Sequence, residues 1–115
     1  MDKDYSIYIF DIVESIELIE SYTGGMSLAE FLNNSAIRDA VVRRVEIIGE
    51  SAKRVPDAMR NSYKDVAWKK ITGTRDRLIH DYGDVDFNTV WDIVKSDLPT
   101  LKEQMKEIIK KEQYE

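Results

Sequence analysis

The sequence predicts an all-α protein: an antiparallel four-helix bundle with short additional helical turns. Three observations carry this. Apolar residues recur three and four apart through most of the 115 residues. No segment keeps up the two-residue alternation of an amphipathic strand. Gly, Pro, Ser, Asn and Asp stand where helices need to stop and start.

The first helix is predicted from about Lys3 to Tyr22, with Tyr5, Tyr8, Ile9, Ile12, Ile16 and Ile19 on its inner face. Thr23-Gly24-Gly25 ends it with residues that accept left-handed backbone. Ser27 and Glu30 have the spacing of a capping box and open a short helical piece through Phe31-Leu32. Asn34 or Ser35 caps the second long helix, whose stripe is Ile37, Val41, Val45, Ile48, Ala52 and Val55, and Pro56 stops it. A helical turn over Asp57 to Ser62 follows. The third long helix is expected over about Val66 to Tyr82, with Gly83 at its end. Asp84 or Asp86 caps a fourth, with Phe87, Val90, Trp91 and Val94 inward. Pro99 demands a kink or restart near Ser96-Asp97, after which Leu101, Met105, Ile108 and Ile109 continue inward.

The length fits a single domain over residues 1–115. With 43% hydrophobic and 34% charged residues the composition is that of a folded, soluble chain. There is no cysteine and only one histidine, which excludes thiol chemistry and leaves no evident metal cage. No apolar run reaches the roughly 20 residues of a membrane span, and the acidic N-terminus lacks a signal peptide's apolar core. The expected location is the cytoplasm. Net charge is −5, unevenly spread: −6 over residues 1–34, +5 over 35–80 and −4 over 81–115. A basic middle between acidic ends allows an RNA groove, although helix surfaces also vary in sign by chance.

The third helix departs from plain scaffold. Indexed as one rod, its apolar stripe runs Trp68, Ile71, position 75, Leu78-Ile79, position 82. Arg75 then stands where a leucine would be expected, and Lys70, Thr74, Arg77 and Asp81 face solvent. A guanidinium on that stripe needs a salt bridge, a groove or a subunit interface. Asp76 and His80 are four apart, so the carboxylate can orient the imidazole and leave its other nitrogen for proton transfer. Plainer readings stand beside these: a histidine near a helix end as a cap, and Tyr82 as a packing anchor. No Gly-rich phosphate loop, supported Ser/His/Asp set or glycosidase-like carboxylate pair is present.

The stretch Gly73-Thr-Arg75-Asp-Arg-Leu-Ile-His80-Asp-Tyr82 resembles the R-x-x-x-x-H-x-Y motif of HepT-like HEPN proteins. Ile48-Gly49-Glu50-Ser51-Ala52-Lys53-Arg54-Val55-Pro56 is similar to the family's second-helix signature. The run from Trp68 to Gly73, Val85-Asp86 through Val90-Trp91, and Asp97-Leu98-Pro99 extend the likeness over most of the chain. Thr74 departs from the methionine more usual before the arginine.

The resemblance implies a homodimer with two motifs facing a shared cleft, and metal-independent cleavage of RNA by a toxin. It also implies control by a small nucleotidyltransferase antitoxin of the MNT type, which attaches AMP to the motif tyrosine, here Tyr82. His80 becomes the proton carrier, Arg75 the phosphate-binding group and Asp76 the orienting acid, with no cofactor and no metal. Arg38, Arg43, Arg44, Lys53 and Arg54 are expected to flank the groove as RNA contacts, with Glu50 placed to pair with one of them. The competing expectation is a non-catalytic HEPN module that binds RNA, nucleotide or the nucleotidyltransferase. The RNA target is not legible.

Overall fold

The computed structural model describes residues 5–78 and 84–114. Helix α1 covers Ser6–Thr23 and buries Ile9, Ile12, Ile16 and Ile19 completely. Gly25 takes a φ of 77°, a turn that a side chain would resist. Helix α2, Leu28–Leu32, opens on the capping box expected from Ser27 and Glu30. The Glu30 N–H donates to Ser27 Oγ at 3.1 Å and the Ser27 N–H donates to Glu30 Oε1 at 3.0 Å. That second bond holds the Glu30 carboxyl below its ordinary pKa. Phe31 is fully buried, its ring 5.0 Å from that of Trp91.

Helix α3, Ser35–Lys53, starts where Asn34 Oδ1 accepts the Ile37 N–H at 3.0 Å. Its inner face is Val41, Val45, Ile48 and Ala52, as the periodicity predicts. Helix α4 is Asp57–Ser62. From it Arg60 donates Nε to Val55 O at 2.9 Å, and Nη2 to Ala52 O at 2.9 Å and Lys53 O at 3.1 Å. A side chain thus satisfies the carbonyls that the end of α3 leaves open.

The third long helix expected over Val66 to Tyr82 is not one rod within the described residues. Helix α5 is Trp68–Thr72 and helix α6 is Thr74–Leu78, divided at Gly73. The cause is local. A Cβ at Gly73 would lie 3.1 Å from Lys69 O, so this tight turn suits glycine. The Thr74 hydroxyl bonds back to the Ile71 and Lys70 carbonyls and competes with the backbone for them.

The fourth rod is α7, Phe87–Asp92, then a π-helical turn, Ile93–Asp97, then α8, Leu98–Lys111. Asp86 caps α7, accepting from the N–H groups of Asn88 at 3.1 Å and Thr89 at 3.2 Å. The break foreseen near Ser96-Asp97 takes the form of the wide π turn. Pro99 has no N–H for the carbonyl four residues back, and the widened turn absorbs the mismatch.

Three contacts fix the directions. Lys102 Nζ on α8 meets Glu20 Oε1 on α1 at 2.7 Å, while at the other end Tyr114 lies 6.5 Å from Phe10, so α1 and α8 are antiparallel. The Arg54 guanidinium at the end of α3 lies 6.0 Å from the Tyr8 ring near the start of α1, so that pair is antiparallel too. The molecule measures 48 × 31 × 22 Å, about two helices thick. No strand forms among the described residues, and none of their helices is long and apolar enough to cross a membrane.

Candidate active site

Helix α6 presents the first part of the motif. On a helical wheel Thr74 and Arg75 flank the Ile71–Leu78 line about equally, and the packing selects Thr74. Thr74 and Leu78, four apart, turn inward and are buried, while Arg75 and Asp76 are exposed. The expectation that Arg75 sits on the buried stripe with Thr74 in solvent is therefore reversed. The Arg75 guanidinium reaches water from a single chain, so its charge needs no second subunit to compensate it.

Arg75 borders a small cleft of about 110 Å³ between the α5–α6 turn and α3. Thr72 lines one wall; Glu46, Gly49, Glu50 and Lys53 line the other. Gly49 permits the approach, since a Cβ there would lie 3.3 Å from Ile71 O. Arg75 enters no ion pair among the described residues, and neither do Lys53 and Glu50. The pairing expected of Glu50 with a neighbouring arginine is thus not formed there. A planar fork with fixed N–H directions is suited to two oxygens of a phosphate.

Of the cations expected to flank the site, only Lys53 lines this cleft. Arg43 is exposed and Arg44 half-buried, and neither borders it. Arg54 turns toward Tyr8 on α1. Arg38 lies over the Phe87 ring at 4.3 Å, and its buried Nε has no hydrogen-bond partner among the described residues. His80, Tyr82 and Gly83 lie outside the described residues.

Two features of the site were missed from sequence. One is the spacing role of Gly49, which shows only when α5 is laid against it. The other is Asp97 in the π turn, which accepts from Lys70 at 3.3 Å and from Arg77 at 3.1 Å and so ties α5 and α6 to the fourth rod. Arg77 is half-buried through this contact rather than free in solvent. The sequence marked that region by the break expected near Ser96-Asp97 and the Asp97-Leu98-Pro99 pattern, with no sign of the partners of Asp97.

Comparison with known proteins bears on what such a site does. The model of the family described as "Ribonuclease HepT-like" matches residues 12–108. A protein of Methanocaldococcus jannaschii named "Putative RNase" is 41% identical over 108 residues, 94% of this chain and 89% of that one. A "Probable ribonuclease HepT" of Thermococcus cleftensis is 36% identical over 110 residues, 96% of this chain and 100% of that one. A "Putative RNase" of Caldanaerobacter subterraneus is 36% identical over 105 residues, 91% of this chain and 94% of that one. No solved structure matches significantly. The family match and these near full-length relatives mean that the chain belongs to the HepT-like family of HEPN ribonucleases.

Proposed function

We propose that this protein is a metal-independent endoribonuclease, the toxin of a toxin–antitoxin pair, and that it cuts RNA in a cleft shared by two copies. The observation that carries the reading is Arg75: the motif arginine, exposed and without an ion pair among the described residues, beside a cleft in a chain of a ribonuclease family. In the proposed reaction the 2′-oxygen beside the scissile phosphate attacks phosphorus. The bond to the 5′-oxygen breaks, leaving a 2′,3′-cyclic phosphate and a 5′-hydroxyl.

One group must take the 2′-proton and another must give a proton to the leaving oxygen. Histidine, with an ordinary pKa of about 6.5, does either near neutrality and typically contributes about 10²–10⁴ in rate. His80 takes these roles in the two copies, Asp76 orients it, and Arg75 binds the non-bridging oxygens as negative charge builds. Loss of one such charge-stabilising donor typically costs about 3 kcal/mol of barrier. Control falls to Tyr82, to which a nucleotidyltransferase antitoxin attaches AMP. The added phosphate pairs with the cations of the site and the base blocks the cleft.

The test is cleavage of end-labelled RNA in EDTA by the parent, Arg75→Ala and His80→Ala. Both variants should keep their helical content and lose cleavage. Strict dependence on a divalent ion would remove the proton-transfer mechanism. Full activity of His80→Ala would leave a binding module in place of an enzyme. Mass spectrometry after incubation with the nucleotidyltransferase and ATP should place AMP on Tyr82, and Tyr82→Phe should escape modification.

A further inference from the structure

Charge is segregated in this chain far more sharply than its net value suggests. Residues 53–77 hold eight Lys and Arg against three acids, and the rest holds nine against nineteen. Six of these cations, Arg60, Lys64, Lys69, Lys70, Arg75 and Arg77, fall in α4, α5, α6 and the loops between them, against the three acids Asp57, Asp65 and Asp76, so this part of an acidic molecule carries a net positive charge. A shallow groove of about 610 Å³ crosses that flank between α4 and α5. Arg60, Asn61, Lys64, Lys69 and Lys70 line it, with Asp57 as the one acid.

The groove has fixed walls. Arg60 is anchored on the carbonyls at the end of α3. Trp68 is buried and its Nε1 donates to Tyr63 O at 3.0 Å, which pins the loop before α5. That leaves its face unavailable for stacking on a base, so recognition here rests on charge. Lys70 is partly neutralised by Asp97. Lys64 and Lys69 are exposed and enter no ion pair among the described residues. The groove also has a direction: Thr72 lines both it and the cleft that holds Arg75.

We infer that this groove is the path of the RNA strand away from the scissile phosphate, with Lys64 and Lys69 holding successive backbone phosphates and Thr72 marking where the strand passes to Arg75. The inference rests on the ribonuclease reading and extends it to the binding of substrate beyond the reacting bond. It moves the main backbone contacts from α3 and its C-terminal cap, where Lys53 borders the cleft but Arg43, Arg44 and Arg54 do not, to the α4–α5 flank. Such contacts are blind to sequence and sensitive to salt.

The experiment uses the 115-residue chain carrying His80→Ala, so that RNA is bound and not cut. A fluorescent single-stranded RNA of mixed sequence is titrated across a salt series, with and without Lys64→Gln and Lys69→Gln together. Each lost phosphate contact on a single strand lowers the salt slope of log affinity by about 0.7, so the double change should lower it by about 1.4. With His80 restored, the same double change should raise KM and leave kcat near the parent value. Circular dichroism checks that the variant folds, and Asp57→Asn provides a second arm, which should tighten binding. An unchanged slope with RNA bound normally overturns the path and leaves the ribonuclease reading intact. Unchanged RNA binding with loss of nucleotidyltransferase binding makes the groove a protein surface and also overturns it. A parent that neither binds nor cuts the RNA overturns both.

Discussion

At the scale of single residues, position 49 shows how a side chain's absence sets a site. Gly49 on α3 faces Ile71 O, and a Cβ there would come to 3.3 Å, tight enough that α5 must yield. Alanine in a helix interior gains up to about 1 kcal/mol over glycine. Overpacking costs about 1–3 kcal/mol, less where the neighbour can shift. Gly49→Ala is therefore expected to change stability by only about 1 kcal/mol while displacing the α5–α6 turn that presents Arg75. Thermal denaturation should move little and RNA cleavage should fall clearly; full activity would show that the cleft tolerates the extra carbon. Tyr63 gives a pH-dependent case. Its phenol is pushed up to about 12 by burial first and then by its hydrogen bond to Glu112 and the charge there. An acid whose pKa rises on folding adds stability that is present below the unfolded value of about 10 and lost as pH climbs toward 12. Tyr63→Phe should remove that part of the alkaline loss, measured as urea stability at neutral and alkaline pH, and the parent should show one tyrosine titrating late at 295 nm.

At the scale of elements, what the sequence showed was what is decided locally. The capping box at Ser27, the Asn34 cap, the stop before Pro56 and the stripe of α3 depend on residues three or four apart, and each appears as read. Pro99 likewise forced a break, though the proline alone did not specify a π turn. The split between α5 and α6 was missed because Gly73 between threonines is also compatible with a weak helix. What decides it is the back-bonding of Thr74 and the close seat on α3. Arg75 was put on the wrong face because positions 74 and 75 flank the Ile71–Leu78 line about equally on a helix, and periodicity alone does not choose between them. The short helices have few residues to hold them, and Asp97 ties both to the fourth rod by its side chain, beside the bond from the Asp86 N–H to Leu78 O at 2.7 Å. Its side chain is 27% exposed, and ion pairs of this kind are worth about 0–1 kcal/mol each. Asp97→Asn should thus cost about 1 kcal/mol or less in global stability. Amide exchange should quicken over α6 first, since local opening requires less free energy than unfolding the bundle. Uniform quickening over all helices would show that Asp97 supports the whole core instead.

At the scale of the whole molecule, a body 22 Å thick is two helices deep, and each rod shows one side to solvent. Such a body leaves the cleft beside Arg75 at the surface and too small, at about 110 Å³, to enclose a nucleotide. The proposed reaction needs one proton acceptor and one proton donor, and the chain has one histidine. The proposed two-fold pair of chains would answer both points, since it would face two motifs across one cleft and supply two copies of His80. This makes a prediction about mixtures. Parent and His80→Ala chains, exchanged until their pairs are random at equal amounts, give about one quarter parent pairs. If both histidines serve one cleft, cleavage should fall to about one quarter of the undiluted rate, following the square of the parent fraction. If each chain works alone, it should fall to about one half, in proportion. A linear fall, or a chain that sediments as a monomer at micromolar concentration, would defeat the shared cleft and require another group to carry the second proton. Arg75→Ala mixed in the same way separates the roles. Binding of one phosphate by either copy's arginine would give a shallower fall than the histidine series, because a pair that keeps both histidines and one guanidinium retains the complete proton-transfer set.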